Sequence, residues 1–151
     1  MRIAVGADHE GYLLRRAVID LVRQEGHEVL DLGTDSPDPV DYPDFASEVA
    51  GAVMDGRAER GILICGSGAG VSVAANKFPG IRAAAVGDAF TAHQCVEHDD
   101  VNVLCLGAQV VGTWLALDIV RAWARARFSG AERHCRRLNK IAEFERRLGH
   151  K

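Results

Sequence analysis

Ile62-Leu63-Ile64-Cys65-Gly66-Ser67-Gly68-Ala69-Gly70-Val71-Ser72, near the middle of the 151-residue chain, runs from an apolar stretch into a cysteine and then three alternate glycines. The apolar run reads as a buried strand and the glycines as a tight turn. The small residues leading to Asn76-Lys77 read as a helix start. Strand, turn and helix in that order form part of a parallel α/β unit. The turn offers backbone N–H groups at the positive end of a helix, where an anion is favoured. Cys65 stands at its lip. Helix-start N–H groups lower a thiol pKa below its usual ~8.5, which makes a thiolate base or nucleophile. A strand-end cysteine is equally a small buried hydrophobe, and both readings stay open.

Working outward, strands and helices alternate. Arg2–Val5, Glu28–Leu32, Gly61–Cys65, Arg82–Val86 and Val101–Leu106 read as strands. Tyr12–Glu25 carries an apolar stripe of Leu13, Leu14, Ala17, Val18, Leu21 and Val22, stopped by Gly26. Gly33–Asp44, with Pro37, Pro39 and Pro43, reads as a loop. Phe45–Met54, Ala69–Lys77, Asp88–Glu97 (Asp88 as cap), Thr113–Arg127 and Arg133–Leu148 read as helices. The pattern predicts an α/β protein: a Rossmann-like three-layer α/β/α sandwich with a five-stranded parallel sheet, an extra C-terminal helix and one domain over 1–151. Ligands of such sheets bind beyond the strands' C-terminal ends. Asp8-His9, Cys65–Gly70 and Gly107–Gln109 all follow strands, which suggests one shared site. The last helix carries Leu138, Ile141, Ala142, Phe144 and Leu148, which need a surface to cover on this subunit or a partner.

Composition excludes several classes. A hydrophobic share of 48% with 26% charged residues argues against disorder. A net charge of −3 gives no general pull toward nucleic acid or anionic membranes. There is no charged leader before an apolar segment, and no run nears the ~18 apolar residues of a membrane span, so a cytoplasmic protein is expected. Cys65, Cys95, Cys105 and Cys135 make no C-x-x-C pair and are expected to be free thiols. His93 and Glu97 are spaced i, i+4, but two ligands do not make a metal site, and no metal or cofactor is expected.

The remaining motifs have modest readings. Gly66, Gly68 and Gly70 give G-x-G-x-G after the third strand, with Val71 where a dinucleotide fingerprint needs its third glycine. Asp8-His9 can cap the first helix. His98 ends a helix beside Asp99-Asp100, where its charged form is favoured. Arg133 and Arg137 share a helical face, either as a solvated basic surface or as a two-pronged phosphate clamp.

Together these residues resemble the ribose-5-phosphate isomerase B family, which includes the galactose-6-phosphate isomerase subunits. The likeness runs through Val5-Gly6-Ala7-Asp8-His9, Asp41-Tyr42-Pro43, Gly61–Lys77, Asn102-Val103-Leu104 and Arg133-His134. The resemblance implies a metal-independent aldose–ketose isomerase of a sugar phosphate, working as a homodimer or pair of dimers with its site at the subunit interface. By position, Cys65 matches the base that moves a proton between C2 and C1. His98 matches the ring-opening acid, with Asp8 nearby, and Ser67 the hydroxyl shuttling a proton between O1 and O2. The backbone of Gly66, Ser67, Gly68, Ala69 and Gly70 matches the enediolate hole. His9, Arg133 and Arg137 match substrate and phosphate contacts. Val71 stands where some relatives carry a glutamate base, so the chain resembles the cysteine branch. Asp99 replaces an asparagine and Gln109 an arginine, both making the pocket less cationic. Ribose 5-phosphate is the expected substrate, with allose 6-phosphate, galactose 6-phosphate or a tetrose 4-phosphate as alternatives. A nucleotide- or phosphate-binding module is a further alternative.

Overall fold

Successive side chains of a strand point to opposite faces, so the near-continuous apolar runs here give strands buried on both faces, and five strands pair as one parallel sheet. In the computed structural model, which describes Met1–Gly149, they are β1 (Arg2–Ala7), β2 (Glu28–Asp31), β3 (Arg60–Cys65), β4 (Ala83–Ala85) and β5 (Val103–Gly107). Their order is β2-β1-β3-β5-β4, with every pairing parallel. Ile3, Val5, Ile62, Ile64, Leu104 and Leu106 face α1 (Tyr12–Gln24), α4 (Ala89–Asp99) and α5 (Thr113–Arg125). Ala4, Leu63, Cys65, Val103 and Cys105 face α2 (Tyr42–Met54) and α3 (Ala69–Ala75). The predicted α/β/α sandwich is therefore the observed one, and α6 (Glu132–Leu148) follows it as the extra helix. His150 and Lys151, inside the predicted domain span, lie outside the described residues.

Most element boundaries differ from the sequence reading by a residue or two, and three of the differences have a visible cause. Helix α2 starts at Tyr42, inside the predicted loop, because Pro43 falls in the first turn where its missing N–H has no helical partner to lose. Helix α3 stops at Ala75, two residues early. Asn76 there turns its side chain to Ser72 O and Ala83 O and accepts from Ala83 N–H, tying the helix end to β4. Strand β5 begins at Val103 rather than Val101, since Val101 N–H still closes α4 on Cys95 O. Asn102 bonds Arg82 N–H and Gly80 O instead. Asp88 caps α4 as expected, accepting Thr91 N–H at 2.7 Å.

Trp123 centres the α1/α4/α5 layer and is fully buried. Arg60 stacks over its ring at 5.3 Å and donates to Trp123 O and Ala126 O, so a cation closes the negative end of α5. Burial pushes the Cys95 thiol up to about 11 and raises that of Cys105 further, so both are neutral core residues. All four cysteines are free. Trp123→Ala should lower the unfolding free energy by about 3–5 kcal/mol, read from urea melts at one protein concentration. A loss under about 1 kcal/mol would show that the layer does not depend on this side chain.

Candidate active site

The left-handed conformation of Gly68 makes the turn after β3. At φ 80° a Cβ would lie 3.0 Å from the carbonyl carbon of Leu106, so only glycine fits without strain. That conformation aims Gly68 N–H back at Cys65 Sγ, 3.2 Å away. The Cys65 side chain is buried at the edge of the α2/α3 core, with 4% of the residue exposed, and its sulfur points into the turn. Ser67 Oγ accepts Ala69 N–H at 3.2 Å from an exposed position. The N–H groups of Ser67 and Gly70 have no acceptor among the described residues. They are open to a ligand oxygen.

Neighbouring loops complete this edge. Asp8 is buried, and its Oδ1 accepts the N–H groups of Glu10 and Gly11, so its carboxylate shapes the entry to α1. It does not serve as a helix cap, since the capping position is Gly11. His9 Nδ1 accepts Val40 N–H at 3.2 Å. Gln109 N–H donates to Gly66 O, and Ala108 N–H to Cys65 O, which fastens the loop after β5 to the glycine turn. The sequence reading gave no site role to Tyr42, whose ring covers Gly70: a Cβ there would sit 2.7 Å from its Cζ. Nor did it give one to Glu10. The Asp41-Tyr42-Pro43 motif carried a signal for the first; nothing local marked the second.

A second cluster gathers where α4 ends and α6 begins. The rings of His98 and His134 stack at 4.2 Å with a 28° interplanar angle. Ser129 Oγ lies 2.6 Å from His134 Nδ1, and Ser129 N–H donates to Glu97 O, so the α5–α6 connection is pinned to the end of α4. Arg133 and Arg137 are exposed on α6, with no ion pair among the described residues, whereas Arg136 pairs with Glu132 at 3.1 Å. The basic face of α6 is thus two free guanidinium groups beside His98 and Asp99.

These clusters stand at opposite ends of the sheet. Cys65 is paired with Gly107 and Gly61 with Val103, four residues apart, or about 13 Å along β5. Helix α4 runs back against the strands, so His98, in its last turn, ends near where β5 begins. One chain therefore brings together Asp8, His9, Cys65, Gly66, Ser67, Gly68, Ala69, Gly70 and Gln109. It does not bring His98, Asp99, Arg133 or Arg137 to them. Helix α6 buries only His134 and leaves Ile141, Phe144 and Leu148 half-exposed or more.

Residues 3–141 match the model of the ribose/galactose isomerase family. The chain is 45% identical over 146 residues to ribose-5-phosphate isomerase B of Escherichia coli (strain K12), covering 97% of each chain. It is 38% identical over 152 residues to D-erythrulose-4-phosphate isomerase of Pectobacterium atrosepticum, covering 99% of each. The solved structure of Clostridium thermocellum ribose-5-phosphate isomerase B is 50% identical, with a TM-score of 0.95 over 97% of this chain and 99% of that one. No helix among the described residues is long and apolar enough to cross a membrane.

Burial, reinforced by the His98 ring and by Arg133 and Arg137, holds the His134 imidazole below its ordinary value. The folded state therefore keeps His134 neutral where the unfolded chain, near pKa ~6.5, takes a proton. The unfolded state then binds more protons, so this contribution is whole above about pH 6.5 and is lost as pH falls. His134→Phe, which keeps the stack, should lose stability less steeply than wild type between about pH 7 and pH 5 in urea melts. Parallel slopes would contradict a neutral His134.

Proposed function

We propose, on the premise that this chain belongs to the ribose/galactose isomerase family, that it is a single-domain sugar-phosphate isomerase interconverting D-ribose 5-phosphate and D-ribulose 5-phosphate. The observation that carries the reading is the Gly68 N–H aimed at Cys65 Sγ, which holds a positioned sulfur beside further backbone donors. The hydrogen next to a carbonyl is a weak acid. Its removal needs a base and donors aimed at the oxygen that becomes negative. Cys65 takes the proton from C2 of the open aldose, and the C2–H electrons move into the C1–C2 bond as the carbonyl oxygen becomes an enediolate oxygen. Ser67 passes a proton between O2 and O1. Cys65 then returns its proton to C1, leaving the ketose, so the reaction is redox-neutral overall and needs no added oxidant or reductant. The unpaired N–H groups of Ser67 and Gly70 support this role for the turn.

The opposite-edge placement supports a site made by two copies of the chain. Cys65 of one copy works with His98, Asp99, Arg133 and Arg137 of the other. His98 protonates the ring oxygen to open the sugar, and the two arginines hold the phosphate, whose binding energy orients the reacting end. The half-exposed apolar side chains of α6 support a homodimer or larger assembly. A second reading keeps the chemistry and changes the sugar. Gln109 and Asp99 lower the positive charge of the pocket, and one relative carries the name D-erythrulose-4-phosphate isomerase. Relative kcat/KM across tetrose, pentose and hexose phosphates separates these.

Purified protein should isomerise ribose 5-phosphate in the presence of a chelator, and Cys65→Ala should lower kcat by about 10²–10⁴-fold with a smaller change in KM. Full activity in that variant would remove Cys65 as the base. Mixing inactive Cys65→Ala with inactive His98→Ala and allowing subunits to exchange should restore about a quarter of wild-type activity. Half the dimers then hold one chain of each kind, and one of their two sites is intact. No recovery after verified exchange would place both residues in one chain's site.

A further inference from the structure

Among the described residues one non-glycine has a positive φ: Asp100, at φ 47° and ψ 43°, which ends α4 two residues after His98. Aspartate tolerates this left-handed conformation better than most side chains, yet the conformation persists only where its surroundings hold it. Arg82 holds it. Its Nε donates to Asp100 O at 2.8 Å and its Nη2 to Asp100 Oδ2 at 2.7 Å, so one planar fork grips both the backbone and the carboxylate. The Arg82 backbone is fixed in turn, since its N–H donates to Asn102 Oδ1 and its carbonyl accepts Asn102 N–H.

These contacts close a loop around His98. Close to Arg82, Gly80 accepts from Asn102 Nδ2 at its carbonyl and donates its N–H to Glu145 Oε1 on α6. Helix α6 runs back from Glu145 to His134, about 16 Å, and the His134 ring stacks on His98. His98 is thus held through its backbone by the Arg82–Asp100 grip and through its ring by the stack. The gripping side chains are 30% and 41% exposed, and an ion pair so open to water adds little to stability. What it fixes is direction. Swinging the end of α4 displaces His98, and a misplacement of about 1 Å at a reacting group costs up to about 10²-fold in rate.

We propose that Arg82 and Asp100 are positioning residues for ring opening: their grip on the left-handed end of α4 aims the His98 imidazole at the sugar's ring oxygen. This rests on the sugar-phosphate isomerase reading above, and it divides the reaction in two. Ring opening depends on the grip; proton transfer at Cys65 of the other copy does not. The two parts separate by substrate. An aldopentose 5-phosphate closes a five-membered ring through its free O4. An aldotetrose 4-phosphate has that oxygen esterified, stays open and needs no ring-opening acid.

The test compares kcat/KM for ribose 5-phosphate and D-erythrose 4-phosphate in the full-length wild type, Arg82→Gln, Asp100→Gly, Asp100→Asn and the Arg82→Gln/Asp100→Gly double variant. NMR follows the His98 ring protons in each. Asp100→Gly keeps the left-handed conformation without strain and removes the carboxylate; Asp100→Asn keeps the conformation and an acceptor oxygen. Arg82→Gln and Asp100→Gly should each lower kcat/KM for ribose 5-phosphate about tenfold and move the His98 ring protons, while the tetrose stays within about twofold of wild type. The double variant should lose no more than the worse single, since both remove one grip, and Asp100→Asn should keep most of the rate. Equal losses on both sugars, or unmoved His98 protons, would overturn the proposal. If the wild type does not turn over the tetrose, the His98 shifts and the coupling in the double variant on ribose 5-phosphate decide it. If Arg82→Gln does not fold, Asp100→Gly against Asp100→Asn decides it. A wild type that isomerises neither sugar, with His98 displaced in the single variants, removes the isomerase reading and keeps the grip as what sets His98. Turnover with His98 undisplaced removes the grip alone.

Discussion

The hydrogen bond from Gly68 N–H to the Cys65 sulfur joins the fold to the chemistry. It exists because Gly68 takes a left-handed conformation that no side chain tolerates beside Leu106 and Gly107. That conformation bends the chain from β3 into α3 within three residues. The same bend brings backbone donors to the thiol at the edge of the apolar layer it shares with Leu63 and Cys105. Cys105, one strand over and without such a turn, is a neutral core residue held up by burial. Two cysteines on the same face of one sheet thus differ in surroundings: Cys65 accepts a backbone N–H at its strand's end, and Cys105 lies within its strand.

A parallel sheet with antiparallel return helices imposes a second constraint. Loops after strands meet at one edge, while helix ends before strands meet at the other. Cys65 and Gln109 belong to the first kind and His98 to the second. No loop adjustment within a compact sandwich carries His98 across about 13 Å of sheet. The stacked His98–His134 pair, pinned by Ser129, makes the second edge a rigid platform with two free arginines beside it. A helix that buries one residue of its seventeen on its own chain is a natural element to bring that platform to another copy.

The legible parts of the sequence were those set by local chemistry. The glycine turn, the alternation of strands and helices and the Asp88 cap are short-range patterns; the turn and cap stand where they were read, and all five strands are present with ends shifted by up to two residues. Helix α2 was read as starting late because prolines signal loops in general, whereas Pro43 occupies the one helical turn that accepts it. Asn76 and Asn102, which stood out only as parts of longer motifs, turn out to be clamps. One ties α3 to β4 and the other ties the start of β5 to Gly80 and Arg82. Glu10 was passed over because its partner Gln109 is 99 residues away.

What the sequence determined alone was the class of fold and the glycine turn that follows Cys65, because hydrophobic period, glycine conformation and helix ends act over a few residues. Only the tertiary structure decided which candidates share an edge. Asp8, His9 and Gln109 gather at Cys65, while His98, Asp99, Arg133 and Arg137 gather elsewhere. That division follows from strand order and helix direction, which bring together residues a hundred positions apart and separate others by the length of a strand. No local pattern records it, since it arises from how the two apolar faces of one sheet are covered.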